Sequence, residues 1–239
     1  MKPMADEQTV IDRMQTLVEH WEQVSDRRAE FLTCYRLMTS SMFVAIDAGE
    51  FHDPVWVTGL LHHFAEYYFV ALEDYEHGSA GTPAVWRLTF DTVRQRDVLV
   101  LQNLLLGINA HINYDLVLAL VDLLESEWES LTSEHRQMRY EDHHHVNEII
   151  GRTVDSVQDQ VVERALPIME FVDDLLGPVD EWIASRTIGH WREAVWNAAV
   201  QMLESSDEEE REMLRGEVEA EALRRAQTIL TGSNPTAFA

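Results

Sequence analysis

The residues best placed to do chemistry lie in one apolar stretch, LLLGINAHINYDLVLAL, from Leu104 to Leu120. At 100° per residue, Asn103, Gly107, His111 and Asp115 follow one another at i,i+4 on one face of a helix. Asn109 and Asn113 form a second such pair on another face. Imidazole, carboxylate and amide groups are costly to bury unless each finds a partner. A helix otherwise built from Leu, Ile, Val and Ala therefore carries them for function or for packing specificity. His111 and Asp115 could act as an acid–base pair in which the carboxylate sets the imidazole tautomer, with Asn109 and Asn113 assisting. With further ligands they could hold a divalent metal ion. Gly107 would leave open space one turn before His111, where a ligand could approach. The alternative is structural: the same groups tie neighbouring helices together, and two ligands fall short of the three or four a metal requires.

The other polar spacings are weaker. His62 and Glu66 stand one turn apart. They are the expected additional metal ligands if their helix packs beside His111, and a half-buried internal pair if it does not. Glu141-x-x-His144, Asp142-x-x-His145 and Asp74-x-x-His77 repeat the acidic-x-x-His spacing of ferritin-like di-iron sites. Histidines in so charged a stretch are more commonly exposed, and His77 abuts a loop glycine. Arg192, beside Trp191 and Trp196, could line an anion or aromatic pocket, although Trp at helical spacing is more often core. Tyr68, Trp86 and Arg192 are the expected ligand-binding side chains. The chain has no nucleophile elbow, P-loop or dinucleotide fingerprint.

The elements that must position these residues are helices. Apolar side chains recur at helical spacing throughout, and valine-, isoleucine- and threonine-rich strand patterns are absent. The first helix is predicted over Asp6 to Val24, and a second, capped by Ser25 or Asp26, up to Ala48. Asp53-Pro54 starts a third that reaches His77 and stops at Gly78, because Asp caps and Pro suits the first turn. After the loop GSAGTP, Thr82-Pro83 opens a shorter helix. The apolar run from Val98 to about Trp128 follows, with a break placed at Gly107. Ser133 caps a long helix to Arg164, Pro167 and Gly177-Pro178 bracket a short helix and open a longer one, and the last runs from Asp207 to Leu230. The expectation is an all-α fold: a single-domain multi-helix bundle or orthogonal array of about eight or nine helices over 1–232, with a frayed tail at 233–239.

Charge narrows the partners. Asp and Glu number 43 against 18 Lys and Arg, a formal charge of -25, and Lys2 is the only lysine. Such a surface repels nucleic acid and anionic membranes, leaving a small-molecule ligand or, for a non-catalytic binding module, a protein as the expected partner and the oligomeric state open. The acidic excess matches the surfaces of proteins from salt-loving microbes, where salt screens self-repulsion. The thermal midpoint is expected to rise by several degrees between low and molar salt; an unchanged midpoint would remove the halophilic reading. Cys34 is the sole cysteine, so no intrachain disulfide forms. The start MKPMADEQ lacks a secretory signal, and polar residues such as Gln102, Asn103, Asn109, His111, Asn113 and Asp115 interrupt the run from Val98 to Leu124 against a membrane span, so the expected location is cytoplasmic.

The decapeptide GINAHINYDL, Gly107 to Leu116, resembles the signature of an uncharacterised bacterial and archaeal family, a domain of unknown function. FHDPVW at Phe51 to Trp56, FAEYYF at Phe64 to Phe69, WRLTF at Trp86 to Phe90 and WREAVWNAA at Trp191 to Ala199 extend the resemblance over most of the chain. It implies a mostly helical domain and no particular activity. Glu66 stands where the family pattern has a smaller polar residue, which would alter a shared pocket.

Overall fold

The computed structural model describes residues 4–95, 98–157 and 181–231. They form helices α1 (Met4–Gln23), α2 (Arg28–Asp47), α3 (Pro54–Glu76), α4 (Ala84–Val93), α5 (Val100–Ala110), α6 (Leu116–Leu124), α7 (Ser133–Val157), α8 (Glu181–Glu204) and α9 (Glu208–Thr231). A π-helical turn, His111–Asp115, joins α5 to α6 without a break. The protein is all-α: the described residues hold no strand and form eight helices when the α5–π–α6 run is counted as one. The expected signals at Pro167 and Gly177-Pro178, the continuation to Arg164 and the 233–239 tail lie outside the described residues.

Local chemistry sets the helix ends. Asp53 Oδ1 accepts the backbone N–H groups of Val55 and Trp56 at 3.1 and 3.0 Å, and its Oδ2 takes Arg139 Nη1 at 2.6 Å. The capping aspartate thus also ties α3 to α7. At the other end Gly78 takes φ +66, a conformation that closes helices cheaply only with glycine. Helix α4 starts without a side-chain cap of its own. Glu219 of α9 reaches across to accept Ala84 N at 2.8 Å, placing a carboxylate on the positive helix end.

Two hydrophobic clusters make the core. One gathers Met42, Trp56, Leu60, Leu116, Leu120, Leu124, Trp196 and Met202, and so joins α2, α3, α6 and α8. The other gathers Met14, Trp21, Phe31, Tyr68, Trp86, Phe90 and Ala110, from α1 through α5. The α5–π–α6 run passes through both, and Phe64 packs against both. Val100–Leu124 is long and apolar enough to cross a membrane, but 78% of its most apolar stretch is buried inside the protein. It serves as the central helix of the fold.

Candidate functional site

The π turn builds the site. Leu116 N–H bonds to His111 O, a step of five residues rather than four, so one extra residue is accommodated in a helix that stays continuous. Single π turns of this kind recur at functional sites. The helix is not broken at Gly107 as expected; the departure from α geometry falls on His111–Asp115 itself.

Within that turn His111 Nδ1 lies 2.8 Å from Asp115 Oδ2, and both side chains are almost fully buried. Trp86 Nε1–H of α4 donates to both carboxylate oxygens, at 3.0 and 2.9 Å. Five aromatic rings enclose the imidazole. Phe64 stacks on it with centroids 3.5 Å apart and planes 8° from parallel, and Tyr35 meets it edge-on at 4.2 Å. Phe31, Tyr68 and Trp86 complete the cage at about 6 Å. Phe64 is the half-buried member, whereas the other four rings are buried. It forms the outer wall between His111 and solvent.

Burial disfavours charge on both partners. Desolvation holds the His111 imidazole well below the usual histidine range. Desolvation also raises the Asp115 carboxyl well above its usual range, against the opposing hydrogen bond from Trp86. Both directions favour an uncharged dyad, in which protonated Asp115 donates to Nδ1 and the ring hydrogen sits on Nε2. That Nε2 is buried and has no hydrogen-bond partner. Its N–H faces only the cage, where contact with a ring is a weak substitute for an acceptor.

The structure corrects several expectations around this centre. Gly107 leaves no open space: a Cβ built there would lie 2.4 Å from Phe31 Cδ2. Phe31, reaching in from α2, fills the notch that the glycine makes. His111 therefore sits in a closed cage rather than on the floor of an open cavity. A surface groove of about 610 Å³ lies on the outer side of α4, lined by Arg87, Asp91, Tyr114 and Glu219 among others, and neither His111 nor Asp115 lines it.

Of the sequence-predicted residues, His111, Asp115, Trp86 and Tyr68 come together. Asn109 and Asn113 do not join them. Asn113 donates to Asn109 Oδ1 at 3.0 Å and Asn109 donates to Ala222 O of α9 at 2.8 Å, so this face ties the central helix to the last one. Glu66 points away, exposed and paired with Arg13 of α1 at 3.4 Å. His62 lies near Phe43, with ring centroids 6.0 Å apart. The four-ligand set of His111, Asp115, His62 and Glu66 is thus not assembled. No group of three or more His, Cys, Asp or Glu side chains among the described residues could hold a metal ion. The acidic-x-x-His spacings disperse as well. His144 faces Glu193, His145 faces Glu50 and Glu148, and His77 bonds to its own helix at Glu73 O. Arg192 lies against His143 rather than His111. His143 itself, fully buried, is the polar residue that sequence reasoning passed over.

The model of a family of unknown function, DUF5995, matches residues 8–232. The chain belongs to this family. Its match spans α2 through α9 and includes every residue of the dyad and its cage. Neither the curated proteins nor the solved structures contain a match to the chain.

Proposed function

We propose that the His111–Asp115 dyad is an acid–base centre that donates a hydrogen bond, and in reaction a proton, from His111 Nε2 to an oxygen of a small uncharged substrate. The observation that supports this most is the unpartnered Nε2 of a fully buried imidazole whose other nitrogen is fixed by a carboxylate. A protein that used the ring only to join helices would gain by satisfying both nitrogens. As Nε2 gives up its proton, Asp115 can pass its own to Nδ1, so the imidazole stays neutral while the charge settles on a carboxylate held by Trp86. The aromatic surroundings select a substrate with an apolar body and a single oxygen acceptor. Access requires displacement of Phe64, the outermost ring.

The closed packing of Phe31 against Gly107 favours a second reading, in which the dyad is a structural keystone. A push–pull aldehyde separates the two, because its visible absorption moves to the red when its carbonyl accepts a hydrogen bond. With 4-dimethylaminocinnamaldehyde, the wild-type protein is expected to give a red-shifted bound form that His111→Phe and His111→Leu, which carry no side-chain donor, both lack. A shift of equal size in the variants, or no shift in the wild type beside a lowered melting temperature in the variants, would leave only the structural reading.

A further inference from the structure

A second buried polar contact lies outside the dyad, between α7 and α8. His143 is 0% exposed and Arg192 is 4% exposed. Their hydrogen bonds fix the protonation state. His143 Nε2 lies 3.0 Å from Arg192 O, and a carbonyl only accepts, so Nε2 carries the hydrogen and Nδ1 is a bare lone pair. Arg192 Nη2 donates to His143 O at 2.7 Å and points at that lone pair from 3.3 Å. No carboxylate pairs with Arg192 among the described residues, and its buried Nε has no partner. A guanidinium buried against one carbonyl and a neutral imidazole is held only while the imidazole stays neutral.

We propose that the His143–Arg192 contact is a pH-operated latch between α7 and α8, closed while His143 is neutral and released when it takes up a proton. Protonation would put an N–H where the guanidinium now finds an acceptor, and set two cations face to face in a desolvated interior. Among the described residues nothing nearby offsets that. The charged groups acting on His143 among the described residues are Arg192 from α8 and His144 from its own helix, both cationic when charged. Asp142, the adjacent carboxylate, is turned away and accepts the backbone N–H groups of His52 and Asp53 at 2.8 and 2.9 Å. Glu193 of α8 is engaged by Tyr140 and His144. Helix α2, which also packs on α7, contributes no charged group acting on His143 among the described residues, and Glu50 beyond its end is taken by His145 and Arg152. Protonation of His144 would tighten its pair with Glu193, but both are well exposed and the opposing effect is small. Burial lowers the His143 pKa well below the usual range, so the closed latch resists protonation while the open form accepts it.

Amide hydrogen exchange on the intact protein, corrected for the intrinsic rate at each pH, tests the latch. An open state in which His143 titrates normally should become roughly tenfold more populated for each pH unit below about 6.5. Protection of α8 and the facing part of α7 is therefore expected to fall at least tenfold between pH 7 and 5, with α4 and α5 as internal reference. In His143→Gln the amide offers an N–H to Arg192 O and an oxygen to the guanidinium but cannot take up a proton, so that loss should disappear. Should that variant fail to fold, ¹⁵N-histidine spectra of the wild type still decide, because His143 must stay neutral wherever α8 keeps its protection. Unchanged α8 protection down to pH 5, equal loosening in His143→Gln, or His143 titrating with α8 undisturbed would each overturn the latch.

Discussion

Gly107→Ala is expected to destabilise the protein by about 2–3 kcal/mol, although alanine is the better helix former by about 1 kcal/mol. The added Cβ would stand 2.4 Å from Phe31 Cδ2 and 2.5 Å from Phe31 Cγ. Those atoms belong to a ring held on its other sides. Phe31 is 8% exposed and lies among Tyr35, Tyr68, Trp86 and His111, with centroids between 5.6 and 6.0 Å from its own, so it has nowhere to retreat. The strain would fall on the cage around the dyad. In a Phe31→Ala background, itself costing about 3–5 kcal/mol, the clash is gone and only the helix preference remains. There the same Gly107→Ala change should stabilise by about 0.5–1 kcal/mol. Denaturant midpoints of the four proteins in this cycle give the coupling directly. A Gly107→Ala cost of the same sign and size in both backgrounds would show that Phe31 does not fill the notch.

That glycine also marks where sequence reasoning stops. Spacing places Gly107 one turn before His111, but it cannot say that Phe31, from a different helix, supplies the missing side chain. The helix ends were more legible, because Asp53-Pro54 and Gly78 act through neighbours one to three residues away. The adjacency of His111 and Asp115 was legible for the same reason, being an i,i+4 relation within one helix. The π turn that holds them was not, since residues such as Ile112 and Leu116 suit an α-helix equally well. In the His143–His144–His145 run successive residues fan out by about 100° each, so at most one or two can face inward. Only His143 is buried, and nothing in the run says which of the three is enclosed against α8. Glu66 shows the converse error. It keeps helical register with His62, yet the direction of that face is set by α1, whose Arg13 it meets.

Asp115→Asn is expected to cost less than about 1 kcal/mol near pH 6.5, against about 3 kcal/mol or more for Asp115→Ala. If Asp115 is a neutral acid, asparagine reproduces its hydrogen bonds, with Oδ1 accepting Trp86 Nε1–H and Nδ2–H donating to His111 Nδ1. Alanine instead leaves the Trp86 N–H and the imidazole nitrogen stranded in a closed cage. The pH dependence separates a folded dyad that holds one proton from one in which Asp115 is ionised beside a neutral His111. Asp115, raised in the fold, contributes stability that is present below the ordinary carboxyl pKa near 4 and is lost as pH rises. His111, depressed in the fold, contributes stability that is present above the ordinary imidazole pKa near 6.5 and is lost as pH falls. Between those values the two slopes cancel, because the folded dyad and the unfolded pair each hold one proton. Above about 6.5 only the Asp115 slope remains, and the dyad loses stability as pH rises. With asparagine in place the carboxyl slope is gone and the His111 slope stands alone on the acid side. The stability of Asp115→Asn relative to wild type should therefore climb by about 1.4 kcal/mol per pH unit from pH 5 to 8. His143 acts equally in both proteins and drops out of that difference. A flat difference across this range would mean that Asp115 is ionised in the folded protein, and the proton donor at Nε2 would then have to be abandoned.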